Sequence, residues 1–295
     1  MRHLRRVTSG LAEAWRNIAV FGWFHPWARQ DRLGTFARIF AWQVRSLDGG
    51  GHEVDWIAGS RLILRKGMHG ATGCHYYGFL EFADMAFIGH FLRDGDVFAD
   101  VGANVGVYSV LAGRVCGAQV HAFEPAQETL PALSANLAVN GLDGSVRVHP
   151  VALSDRKGVT HFTRGLDAVN RFARRADSES VEVETAPADA ILAGRGIVAM
   201  KVDVEGAEDL VFAGAARLLA EPQLRVLLVE TVGAKLEAMF LEAGFVEHFY
   251  EPFSRTLSPM PIPNDAANRL FLRDAAFVVE RVRAAPPLRY RGLSV

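Results

Sequence analysis

The chain has 295 residues, half of them hydrophobic, which is ample for a buried core and allows one or two domains. Lys plus Arg number 32 and Asp plus Glu 33, so the formal net charge of -1 lacks the basic excess of a general nucleic-acid binder. With only Cys74 and Cys116, a disulfide framework is excluded and a reduced, cytoplasmic setting fits best.

Residues 1–50 are locally basic, with Arg2, Arg5, Arg6, Arg16, Arg29, Arg32, Arg38 and Arg45 against Glu13 and Asp31. Trp15, Trp23, Phe24, Trp27, Phe36, Phe40 and Trp42 are interleaved with them. Two readings compete. One is an amphipathic segment that makes weak contact with an anionic membrane surface. The other, which is preferred, is a helical cap that packs its aromatics on the main domain. The apolar run 18–24 is far shorter than the roughly 20 residues needed to cross a bilayer. It also lacks the flanks of a signal peptide. Asp48-Gly49-Gly50-Gly51 reads as a flexible joint.

From residue 54 the pattern turns to short strands, followed by a helix over 81–92. A regular alternation then begins. Strands are predicted over 97–101, 118–123 and 146–153, with helices over 108–115 and 129–137 between them. Residues 159–162 and 181–185 read as an inserted hairpin or edge pair, joined by a polar surface loop over 164–180. The alternation resumes with a strand over 197–202, a helix over 207–219 and a strand over 224–229. A helix over 234–243 and a strand over 245–250 follow. Then come a Pro-containing loop over 254–267, a last strand over 269–272 and a loose tail. Strand alternating with helix at this spacing implies βαβ units, a parallel sheet and an α/β fold with helices on both faces. The division expected is a cap over 1–75, a catalytic domain over 76–275 and a tail over 276–295.

In such a sheet the ligand sits beyond the carboxyl ends of the strands, where the strand order reverses. The first strand of the alternation ends in Asp100-x-Gly102-x-Asn104-x-Gly106. Glycines let a nucleoside lie against the backbone. Glu124 ends the second strand, where a carboxylate can accept both ribose hydroxyls. A dinucleotide loop should carry a glycine where Asn104 stands, and Asp100 would repel a pyrophosphate. S-adenosyl-L-methionine has no phosphate but carries an ammonium and a sulfonium, so it suits this loop better than NAD. A second group, Lys201-Val202-Asp203-Val204-Glu205-Gly206-Ala207-Glu208, puts charges at the carboxyl edge of a central strand. Asp203 and Glu205 are the candidate bases, and Lys201 is unusual inside an apolar strand. Acids at a helix start are also favoured by the macrodipole alone, which accounts for Glu205 and Glu208 without function. Glu230 is a weaker candidate, and His149, His161 and His248 are reserves. There is no Cys/His set with zinc spacing, and metal independence is expected.

Five segments together resemble the FkbM-type methyltransferases: residues 95–109 (GDVFADVGANVGVYS), 122–125 (AFEP), 136–141 (NLAVNG), 151–158 (VALSDRKG) and 201–208 (KVDVEGAE). The resemblance spans 77–272. It implies a Rossmann-like seven-stranded, mostly parallel sheet with a final antiparallel strand. It implies S-adenosyl-L-methionine as donor and a hydroxyl on a small-molecule or glycan acceptor, such as a sugar or secondary metabolite. Asp100, Gly102, Asn104 and Gly106 would meet the methionine and loop side of the donor, Glu124 the ribose, and the segment Ala152-Leu153-Ser154-Asp155 the adenine. A nicotinamide-dependent oxidoreductase and a non-catalytic binding module on the same fold remain the alternatives.

Overall fold

The computed structural model describes residues 22–163, 180–262 and 266–295. Two helices open the described chain, α1 (Pro26–Gln30) and α2 (Arg32–Arg45). The Asp31 carboxylate caps α2 by accepting from the Gly34 N–H at 3.0 Å. A small hairpin, β1 (His52–Asp55) and β2 (Arg61–Leu64), follows. Then come α3 (His69–Tyr77) and α4 (Phe82–Phe91). All ten residues of α4 are buried, Asp84 and His90 included, on an otherwise apolar helix.

The alternating region folds as β3 (Val97–Val101), α5 (Val107–Val110), β4 (Gln119–Phe123), α6 (Leu130–Val139) and β5 (Val146–His149). A side sheet of β6 (Ala152–Leu153), β7 (Gly158–Thr163) and β8 (Ser180–Ala186) comes next. Then follow α7 (Ala188–Leu192), β9 (Ile197–Val202), α8 (Glu208–Ala213), α9 (Ala216–Ala220), β10 (Val226–Val229) and α10 (Ala234–Glu242). The chain ends with β11 (Val246–Glu251), β12 (Thr256–Ser258), β13 (Arg269–Leu272), α11 (Ala275–Arg283), β14 (Arg289–Tyr290) and β15 (Leu293–Ser294).

The main sheet has eight strands in the order β12-β11-β13-β10-β9-β3-β4-β5. The five strands from β10 to β5 are parallel, and β13 is antiparallel to both of its neighbours. β12 adds one strand to the seven expected. The chain runs outward from β3 to β5, then returns to place β9 against the other edge of β3. The order therefore reverses at β3, and a crevice opens above its carboxyl end.

Four local expectations are corrected. The strand expected over 146–153 is two strands in different sheets, because Pro150 has no N–H for the ladder. The helix expected over 207–219 breaks at Gly214, where a Cβ would lie 2.1 Å from the Ser154 carbonyl oxygen. The helix over 108–115 becomes a π-turn after Val110. The tail is not loose: Tyr290 is buried, stacks on Trp27 and donates to the His75 carbonyl at 2.5 Å. The expected 164–180 loop lies outside the described residues except for Ser180, which begins β8.

The described part of the aromatic N-terminal segment packs on the main body. Trp27 is fully buried and stacked on Phe79 at 5.0 Å between centroids. The Trp56 indole donates to the Gly78 carbonyl at 2.5 Å. Arg38 donates to the Tyr76 carbonyl at 2.9 Å. Trp27, Trp42 and Trp56 belong to the same apolar cluster as Phe98 on β3 and Leu133 on α6, so cap and sheet share one core.

Candidate active site

The cleft above β3 holds about 1080 Å³, including space open to solvent. Its floor is the loop after β3. The Gly102 and Ala103 N–H groups both donate to the Phe123 carbonyl, at 3.0 and 2.9 Å, which binds that loop to the end of β4. Glu124 clamps the same junction from its side chain. One carboxylate oxygen accepts from Asn104 N–H and the other from Ala126 N–H, both at 2.9 Å. Burial pushes the Glu124 carboxyl up to about 7, against the pull of those two donors. Asn136 supports the loop from behind. Its amide donates to the Val105 carbonyl at 2.7 Å and accepts from Ile63 N–H at 2.6 Å. Asn140, one turn further along α6, brackets Arg61 through its N–H and carbonyl. The N-x-x-x-N spacing thus puts two amides on one helix face, tying loop and hairpin together.

The glycines act differently from the expectation. A Cβ on Gly102 would sit 1.9 Å from the Asp203 carbonyl oxygen, and one on Gly106 would sit 2.5 Å from a Leu133 methyl. Both have φ above +80°. Close approach of protein to protein requires them, and Gly102 also lines the cleft. Asn104 adopts the left-handed region at φ +48°, which asparagine tolerates.

The register of β3 on β9 sets Asp100 opposite Lys201. Asp100 is buried behind the loop, accepts from the Ser109 hydroxyl at 2.6 Å and does not line the cleft. Burial raises its carboxyl despite Lys201 and Ser109. Lys201 is buried, and its ammonium lies 2.8 Å from Asp203 Oδ2 and 4.7 Å from the Tyr108 ring centroid. Burial alone would lower that ammonium, but Asp203, Glu81 and Asp100 together outweigh it and hold it charged. Burial opposes ionisation of Asp203 too, and Lys201 overcomes it, so the carboxyl lies below its usual value. Glu230 stands behind Asp203. Burial and the Asp203 charge push Glu230 up to about 8. Its buried Oε2 has no conventional donor, so a shared proton with Asp203 is the way to satisfy it. Carboxylate oxygens of Asp203, Glu205 and Glu230 lie within 4.8 Å of one another.

Of the residues singled out from sequence, Gly102, Asn104, Glu124, Ala152, Lys201, Asp203 and Glu205 line this cleft. Asp100 and Gly106 shape the loop from behind, and Asp155 lies outside the wall beside Ser154. None of His149, His161 and His248 reaches it. His149 stacks on Phe123 and meets His121 at 3.0 Å, and His248 bonds Val246 at an exposed edge. Sequence reasoning missed Glu81 and Tyr108, which line the cleft and hydrogen-bond at 2.6 Å, and Gly70 and Cys74 from α3. The available signal was an acid immediately before a mostly apolar helix.

A mostly parallel sheet whose strand order reverses at β3, with a cleft above that point, defines a Rossmann-like α/β fold. The family model described as the methyltransferase FkbM domain matches residues 100–278, and the chain belongs to the FkbM methyltransferase family. A curated relative, the 31-O-demethyl-FK506 methyltransferase FkbM of Streptomyces tacrolimicus, is 32% identical over 171 residues. That match spans 45% of this chain and 65% of the relative's length. Among solved structures, the methyltransferase FkbM of Methylobacillus flagellatus KT is 14% identical, with a TM-score of 0.42 over 69% of this chain and 53% of that one. TrmK of M. capricolum, in complex with S-adenosyl-homocysteine, is 9% identical, with a TM-score of 0.37 over 64% and 66%.

Proposed function

We propose that the chain is an S-adenosyl-L-methionine-dependent O-methyltransferase acting on a hydroxyl of a sugar, glycan or secondary metabolite. The observation that carries this reading is the charge of the cleft. Among the described residues its wall holds four acids, Glu81, Glu124, Asp203 and Glu205, and one cation, Lys201, already tied to Asp203. Such a wall attracts a cationic ligand and repels a pyrophosphate. That weighs against the nicotinamide reading. The family supports methyl transfer, and the relative's name, which specifies a 31-O-demethyl substrate, supports oxygen as the acceptor atom.

The residues fit the donor. Glu124 can accept ribose hydroxyls on lone pairs not used by Asn104 and Ala126. Phe123, Val151 and Leu153 offer an apolar wall for adenine, beside Ala152. Glu81 and Asp203 suit the ammonium and sulfonium end. When bound, the donor supplies an electrophilic methyl group on a sulfonium. Asp203, ionised and at the cleft wall, orients the acceptor hydroxyl and takes up its proton. Lys201 keeps Asp203 ionised. Glu205 borders the acceptor side. The acidic cluster needs no ion in this reading, because Lys201 and the proton on Glu230 compensate its charge, so activity persists in chelator. Calorimetric titration of S-adenosylmethionine into the protein and into an Asp203→Asn variant tests the reading. Binding to both with turnover lost only in the variant is expected. No binding to the folded wild type moves the non-catalytic module to the front.

A further inference from the structure

We infer that the outward face of α2 docks on the surface of an anionic phospholipid bilayer. α2 is apolar on two opposite faces. Thr35, Ile39 and Trp42 are buried against the body. On the other side Leu33 is 88% exposed, Phe40 66% and Val44 54%. At 100° per residue these three fall within about 40° of one another, a continuous stripe. Trp23 and Phe24 extend it at one end and Leu47, 77% exposed, at the other. Half of the twelve exposed large hydrophobics among the described residues lie between positions 23 and 47. A solvated helix face does not collect its bulkiest apolar side chains in one row.

Charge selects the occupant. Residues 1–47 carry eight arginines and two acids, a net +6, whereas the whole chain is at -1, so the remainder carries -7. Exposed Arg29, Arg32 and Arg45 flank the stripe, and Arg32 lies 4.0 Å over the Trp23 ring. The acid between α1 and α2, Asp31, is taken by Arg38 at 2.9 Å. An apolar row with an arginine rim and indole at its end matches the headgroup boundary of an anionic membrane, where arginines reach phosphates and aromatics enter the acyl edge. A second copy seated face to face would oppose arginine to arginine. Residues 1–21, with Arg2, Arg5, Arg6 and Arg16, carry the same sign as the rim. A nucleic acid would leave the apolar row unused. Among the described residues no helix is long and apolar enough to cross a membrane, so the contact lies along the surface. α2 packs on α3, which contributes Gly70 and Cys74 to the cleft, so docking sets the active site one helix away from the lipid.

The test is flotation of the full chain with phosphatidylglycerol–phosphatidylcholine vesicles and with pure phosphatidylcholine vesicles, at low and high salt. Wild type is expected to float with the anionic vesicles at low salt and to lose most of that binding at high salt. Phe40→Glu and the pair Arg32→Glu, Arg45→Glu should each weaken it about tenfold or more. Titration of S-adenosylhomocysteine into each variant shows the fold intact, independently of membrane contact. No flotation of wild type with anionic vesicles overturns the inference, and so does binding that the variants leave unchanged. Failure to float, together with a dimer in light scattering that Phe40→Glu dissolves, assigns the stripe to self-association instead.

Discussion

The Lys201 ammonium and the Asp203 carboxylate, two positions apart at the end of β9, meet at 2.8 Å with Lys201 buried. Both side chains leave a strand end on the same side, and the register with β3 brings Asp100 toward the same cation. One buried positive charge thus neutralises several acids. Lys201→Met should leave them uncompensated, at a cost of about 3–5 kcal/mol in stability. Chemical denaturation would measure this. Unchanged stability would mean the acids are neutralised by protons instead.

Asp203 and Glu230 titrate as a pair, with Glu230 pushed up to about 8 by burial and by its neighbour. Asp203, Glu205 and Glu208 face it as acids, and Lys201 is the cation behind Asp203. Asp203 is already ionised, but the Glu230 proton occupies one of its lone pairs, so kcat/KM should rise as that proton is lost near 8, then level off. Glu230→Gln keeps a donor to Asp203 but removes that ionisation. The rising limb should vanish while turnover falls by about 10- to 100-fold. A limb that survives in Glu230→Gln would assign it to another group.

Glu124 holds Asn104 and Ala126 and points its carboxylate into the cleft. Glu124→Ala should weaken S-adenosylhomocysteine binding by about 100-fold, since charge-assisted hydrogen bonds contribute roughly 1.5–3 kcal/mol each. In the wild type, affinity should increase as pH rises through about 7, where Glu124 ionises. Calorimetry across that range reads both effects. Affinity independent of pH and of Glu124 would sever the ribose assignment.

Gly102 has no room for a methyl group beside the Asp203 carbonyl. Gly102→Ala should cost at least about 2 kcal/mol and lower the melting temperature by roughly 5 °C, from left-handed strain and displacement of β9. A melting temperature within error of the wild type would mean the loop yields freely.

The cap carries its own pH signature. His25 donates from Nε2 to the Phe79 carbonyl at 2.6 Å, and burial depresses its pKa to about 4. Between that value and 6.5 the unfolded chain binds the proton and the folded chain does not. Folded-state stability should therefore fall as pH drops through this window, by up to about 3 kcal/mol for this group. His25→Gln should flatten that slope in denaturant titrations. An equal slope would place the loss at His75, His90 or His149, whose values are depressed in the same way.

The alternation of elements and the loop after β3 that floors the cleft were legible in the sequence because local patterns encode them. Short apolar runs of strand length and glycines at strand ends identify a parallel sheet with a crevice above its carboxyl edge. The break at Gly214 was less visible, since it depends on the Ser154 carbonyl packed alongside, whereas Pro150 carries its own signal in the missing N–H. Three things were decided only in the tertiary structure. Glu81, just before α4, is fixed at the cleft by Tyr108 and Asn268, partners far away in the sequence with no local signature. A Cβ on Gly102 or Gly106 would meet neighbouring protein atoms, a constraint that depends on distances across elements. Glu230 becomes a proton holder because the register of β10 on β9 buries it behind Asp203, and burial, unlike residue identity, is a property of the assembled fold.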